Sequence, residues 1–152
     1  MINIRTKGQS GEREIASLLN AIVQQERVAL GLPRLAIEDE PFQRNQNQSA
    51  VGGDDLTNPY KLSIEVKRQE ALSVNTWWKQ TAVSASRTNG VPILLFRQNR
   101  KKWRCVMLAD LPLVDPSSTT YASYSFQRVE VEIDVFKEWF RQYYLRWVRT
   151  NA

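Results

Sequence analysis

Residues 54–67 read Asp-Asp-Leu-Thr-Asn-Pro-Tyr-Lys-Leu-Ser-Ile-Glu-Val-Lys, and this stretch decides the fold. From Lys61 to Lys67 apolar and polar side chains alternate with a period of two, the pattern of a β-strand. Leu62, Ile64 and Val66 belong to one face; Ser63, Glu65 and Lys67 belong to the other. Asn58-Pro59 is turn chemistry, so Asp55-Leu56 is expected to fold back on this strand as a hairpin. Glu65 and Lys67 then share a face, about 6.5–7 Å apart along the strand. Asp55, just across the turn, is placed to sit beside Glu65.

Upstream, Ser10 is read as the cap of a helix. Ile15, Leu18, Leu19, Ile22 and Val23 form its apolar stripe, and Gly31 and Pro33 end it. Residues 34–53 are polar and irregular, with room for a strand fragment, and Gly52-Gly53 marks a loop. Downstream, 75–88 reads as a helix opening with Trp77-Trp78-Lys79-Gln80. Val91–Phe96 is uniformly apolar, as in a strand covered on both faces. A strand over 103–108 follows the basic turn 97–102, and 126–134 makes another. A last helix, about 134–149, carries Phe136, Trp139, Phe140, Tyr143, Tyr144 and Trp147 on one stripe. This order predicts a single α/β domain, 1–152, with a central mixed β-sheet flanked by helices. Its core spans about 5–110; the strand and aromatic helix at about 126–149 are added to it. The aromatic stripe is expected to be mainly core, with surplus rings available to a dimer interface. One of Trp77 and Trp78 is expected in the core, leaving the other to stack on an unpaired base.

Composition narrows the chemistry. The 152 residues include one cysteine and no histidine. Histidine bases, histidine metal ligands, Cys-His and Ser-His pairs, internal disulfides and cysteine-based zinc sites are all excluded. Carboxylate and lysine chemistry remains, with a hard cation where a metal takes part. The net charge of +5 is unevenly split. Residues 1–60 hold six Lys and Arg against eight Asp and Glu, whereas 61–152 hold fifteen against eight. A basic surface of this kind suits a polyanion. The opening MINIRTKGQSGERE is not a secretory signal and no apolar run is long enough to cross a membrane, so a cytoplasmic protein is expected. No glycine-rich phosphate cradle or nucleotide fingerprint is found.

The chemistry-bearing set is Glu12, Asp55, Glu65 and Lys67. Two carboxylates held about 4 Å apart repel by roughly 4 kcal/mol at an effective dielectric near 20. A divalent cation offsets that cost, and oxygen-only ligands select Mg²⁺ or Mn²⁺. Asp55 followed by Glu65-Val66-Lys67 resembles the PD-(D/E)XK nuclease superfamily. The segment Lys7-Gly8-Gln9-Ser10-Gly11-Glu12-Arg13-Glu14, with the apolar helix after it, resembles the opening of Holliday junction resolvases of the archaeal type and their phage relatives. The likeness runs in order over roughly residues 5–97. Where the family has proline before the aspartate this chain has Asp54, so Asp54 and Asp55 compete for the metal role; Asp55 is preferred because Leu56 follows it. The sequence from about 110 onward has no counterpart in the resemblance.

The resemblance implies a restriction-endonuclease-like core and a metal-dependent endonuclease acting on branched DNA. Asp55, Glu65 and the Val66 carbonyl would hold Mg²⁺, with Glu12 completing the site or holding a second ion. Lys67 would orient water or stabilise developing charge, and Gln80 would position water or backbone. Lys7, Arg13, Arg44, Arg68 and Lys79 are the candidate phosphate contacts, and Ser49 is a candidate contact to the substrate backbone. The basic turn at 97–104 is read equally as a solvated hairpin tip and as a DNA contact. Two symmetric nicks in a four-way junction imply a C2 homodimer. Two other readings are kept: a restriction-like endonuclease or exonuclease, and a basic DNA-binding protein without catalysis.

Overall fold

The computed structural model describes residues 4–46, 54–114, 116–117 and 121–151. The hairpin forms as the sequence predicts, with strand β2 (Leu56–Thr57) antiparallel to β3 (Leu62–Arg68) and Leu56 opposite Ile64. Asn58 builds the turn. Its side-chain oxygen accepts from the N–H groups of Tyr60 (3.0 Å) and Leu62 (3.3 Å), and its amide donates to the Leu62 carbonyl at 2.8 Å. A further two-residue strand, β1 (Gln43–Arg44), extends the sheet beyond β2.

Helix α2 (Val74–Thr88) carries the chain from β3 to β4 (Val91–Arg97), which lies parallel to β3 over its whole length. All other pairings are antiparallel, through β5 (Arg104–Val114) and β6 (Tyr121–Glu132), in the order β1-β2-β3-β4-β5-β6. Helices α1 (Ile4–Ala29) and α3 (Ile133–Asn151) cover one face. There Ile15, Leu19 and Val23 of α1 meet Phe136, Phe140 and Tyr144 of α3 over Ile64, Ile93 and Leu95. The opposite face packs under α2, where Trp77 meets Leu94, Phe96 and Val106. Strand β3 is therefore buried on both sides. Its polar row is not a solvent face, and Ser63 and Glu65 are buried along with the apolar row.

Helix α1 starts at Ile4, well before the expected cap at Ser10, so Gly8 and Gly11 lie inside it. A Cβ on Gly11 would stand 3.3 Å from both the Arg68 Cβ and the Trp103 ring. This close approach of helix to sheet explains a glycine that costs about 1 kcal/mol in a helix interior. Two side-chain amides on the buried side of α1 then act as substitute strand edges. Asn20 donates to the Phe42 carbonyl and accepts its N–H, both at 2.9 Å. Gln24 does the same for Leu35, at 2.8 and 2.9 Å. The segment leading into β1 is thereby fixed to the helix that carries Glu12.

The aromatic stripe of α3 is absorbed by the core. Phe136, Phe140 and Tyr144 are buried, and Trp139, Tyr143 and Trp147 pack against them. Tyr60, at the hairpin turn, is their hub, with ring centroids 4.9 Å from Trp147 and 5.8 Å from Tyr144. No fully exposed surplus of rings remains on α3 to form the expected interface. Trp77 is the buried member of the tryptophan pair, and Trp78 is partly buried against the same cluster. The last two strands exceed the expected 103–108 and 126–134. β4 pairs only with Arg104–Val106, so most of the β5–β6 ribbon runs on past the sheet. Among the described residues no helix is long and apolar enough to cross a membrane.

Candidate active site

The cleft begins with register. Leu56 opposite Ile64 brings Asp55 level with Glu65, and a hydrogen bond joins their carboxyl groups. Such a bond needs a proton, so the metal-free pair retains one. Glu65 is only 8 % exposed, and burial together with the Asp55 carboxyl pushes its pKa from 4.5 up to about 9. Burial also raises Asp55, against the opposing pull of the Val66 N–H, which donates to Asp55 Oδ2 at 2.7 Å. Lys67 faces both carboxyls and favours their charged forms. The pair thus carries an uncompensated cost that a cation would remove.

Asp54 and Asp55 are separated by what holds them. Asp54 Oδ1 accepts from the Ser63 hydroxyl and, at 2.7 Å, from Ser84 on α2, tying β3 to the helix above it. Asp55, Val66 and Lys67 instead line a cleft of about 620 Å³ at the carboxyl end of β3. Glu12 enters from α1, one turn after Gly8 and Gln9, and Arg44 enters from β1. Arg44 Nε lies 2.8 Å from Glu12 Oε2, a part-buried ion pair between residues 32 apart in sequence. Glu12 stays near enough to raise the Asp55 pKa. Even so, no three acidic or cysteine side chains among the described residues are grouped to hold a metal ion, so Glu12 is not closed onto the pair.

The remaining sequence-predicted residues fall into three groups. Arg68 lines the cleft while donating to Ser10 Oγ at 3.1 Å, and Lys7 stands on the neighbouring turn of α1 with its ammonium 2.9 Å from Glu70. Arg13 is exposed on α1 and lines an adjoining groove of about 460 Å³ that shares Arg44 and Gln46 with the cleft. Lys79 and Gln80 are exposed on α2 and line no part of either, so the structure does not bring them to Glu65. Ser49, with Gly52 and Gly53, lies outside the described residues.

Sequence reading missed Arg5, Gly8, Gln9, Asn45, Gln46 and Gln69 in the cleft wall. Arg5, Gly8, Gln9 and Glu12 sit at helical spacing, so the signal was present and was lost with the late helix start. The basic turn divides. Arg100, Lys101 and Lys102 are exposed, while Arg97 folds back over the Trp103 ring (5.4 Å to the centroid) and pairs with Glu14 at 3.3 Å. Glu70 joins this turn to α1, since its Oε1 also accepts the Asn99 N–H at 2.8 Å.

A divalent cation suits this donor set. Asp55 and Glu65 are oxygen donors already adjacent and short of a charge, and the Val66 carbonyl borders the same cleft. Comparison with known proteins agrees. Residues 3–150 match the family described as "Phage putative PDDEXK endonuclease". No curated protein matches the chain. Among solved structures, Hjc of Archaeoglobus fulgidus, a Holliday junction resolvase from an archaeal hyperthermophile, is similar at 16 % identity and a TM-score of 0.45, covering 87 % of this chain and 96 % of that one. With the family matched over nearly its whole length, the chain belongs to the phage PDDEXK endonucleases and is a nuclease of the PD-(D/E)XK superfamily.

Proposed function

We propose that this nuclease is a Mg²⁺-dependent, structure-selective DNA endonuclease that nicks four-way junctions. The observation that carries the catalytic part is the buried Asp55–Glu65 pair, sharing a proton beside Lys67 at the wall of a cleft rimmed by Arg44 and Arg68. Asp55, Glu65 and the Val66 carbonyl would hold the cation, with Mn²⁺ able to replace it. When bound, that ion supplies Lewis-acid polarisation of the scissile phosphate and acidifies water.

This chain's own groups do the rest. The Lys67 ammonium is a compact donor that stabilises charge growing on the phosphate oxygens. Glu12 holds Arg44 at the cleft mouth, where the guanidinium meets the phosphate backbone. Glu12 is also the third carboxylate, available to complete the site when DNA takes over Arg44. Junction selectivity is supported by the ordered Glu12, Asp55, Glu65, Lys67 set and its helical opening, and two opposed nicks call for a homodimer.

The test is cleavage of a synthetic four-way junction beside a linear duplex of the same sequence. Paired nicks with Mg²⁺, absent in Glu65→Gln, are expected. Equal cutting of the linear duplex would reassign the chain to a restriction-like or exonucleolytic activity. Binding without cleavage under any divalent ion would leave a DNA-binding protein.

A further inference from the structure

The β5–β6 ribbon leaves the sheet with apolar side chains on both of its faces. Asp110 pairs with Phe126, Leu111 with Ser125, Pro112 with Tyr124 and Leu113 with Ser123. Leu111 and Leu113 therefore stand on one face, Tyr124 and Phe126 on the other. With Val114, these five side chains are between 42 % and 64 % exposed. No helix covers them among the described residues. From Cys105 to Gln127 the sequence contains no Lys or Arg, although the chain has 21 elsewhere. A phosphate backbone is not what this arm meets.

The edge is open as well as the faces. β6 is the last strand of the sheet, and its stretch from Tyr121 to Gln127 holds no proline, lysine or other charge to block pairing. Natural edge strands are ordinarily short, charged or interrupted. The opposite edge obeys that rule, since β1 is two residues long and carries Arg44. An unguarded edge flanked by exposed rings is an edge meant to be paired.

We infer that the β5–β6 arm is where a second copy of this chain docks, β6 against β6, antiparallel about Ser125. The sequence is self-complementary there. A two-fold axis through Ser125 sets Tyr124 of each copy opposite Phe126 of the other, so one aromatic cross-strand pair forms twice. The five exposed side chains offer roughly 500 Å² per copy, about 1,000 Å² for the pair before the backbone edge is added, which reaches the scale of a specific interface. The inference rests on the homodimer of the proposed function but assigns it a surface that the α3 rings do not provide.

The test is molar mass in solution by sedimentation or light scattering. Wild type is expected to be a dimer, and Tyr124→Lys combined with Phe126→Lys a monomer with unchanged circular dichroism. Because Cys105 is buried, Ser125→Cys is expected to give a covalent dimer under mild oxidation, the opposed Cα atoms being within disulfide range. A monomeric wild type, a dimer that survives the double substitution, or a Ser125→Cys dimer that fails to cross-link would overturn the inference. Mass is the readout, so Glu65→Gln must remain dimeric. An inactive dimer would count against the nuclease site and not against the arm.

Discussion

Glu65 is the residue at which stability and chemistry oppose each other. Its pKa is raised from 4.5 to about 9, so the folded, metal-free chain keeps a proton that the unfolded chain releases from about pH 4.5 upward. Between those values the native state binds more protons than the unfolded one, and stability falls as pH rises, by at most about 1.4 kcal/mol per unit. Denaturant melts at pH 5 and pH 8 should show the metal-free wild type weaker at pH 8. Glu65→Gln should flatten that difference and be more stable at pH 8, by about 2 kcal/mol, while losing cleavage. Divalent ions should raise the melting temperature of the wild type and not of the variant. At this scale the site was largely legible, because period-two alternation and a turn at Asn58-Pro59 fix which carboxylates are neighbours. The roles of Asp54 and Asp55 were not fully legible. Adjacent aspartates look alike in sequence, and only Ser84, on a helix thirty residues away, distinguishes Asp54 as the one engaged in packing.

At the scale of elements, α1 does more than bury a stripe. Through Asn20 it holds Phe42, and through Phe42 it sets β1, Arg44 and the Arg44–Glu12 pair. Asn20→Ala removes two buried hydrogen bonds and leaves the Phe42 N–H and carbonyl unmatched, a loss of about 2–4 kcal/mol in a chemical melt. Cleavage should drop more than melting implies, because Arg44 loses its position. None of this was readable in the sequence, since an amide pairing with backbone 22 residues on leaves no periodic trace. The start of α1 was misplaced for a related reason. Gly8 and Gly11 look like helix breakers until the sheet that presses on Gly11 is present. The ribbon was cut short at Leu108 because its outer half is exposed on both faces and has no core to impose alternation.

For the whole molecule, the decisive division is of charge. The cleft cations Arg44 and Arg68, Lys7 on the next turn of α1, and the exposed Arg100, Lys101 and Lys102 of the β4–β5 turn lie away from the ribbon, which has none. Replacing Lys101 and Lys102 by alanine should lower the log–log salt slope of duplex binding by about 0.9 for each lost phosphate contact. The same two changes should leave Asp55–Glu65 chemistry intact on saturating DNA. Fluorescence anisotropy at graded salt measures the first effect, and single-turnover cleavage the second.

The bond from the Tyr143 hydroxyl to the Tyr60 carbonyl, 2.6 Å, has a consequence in time rather than in space. It fastens α3, the final element in chain order, to the turn of the hairpin that bears Asp55 and Glu65. A polypeptide emerging from the ribosome presents all four chemistry-bearing residues long before Phe136, Phe140 and Tyr144 arrive to seat them. The hairpin has no platform until then. Cutting ability therefore switches on with completion of synthesis, and nascent chains are harmless to the DNA around them.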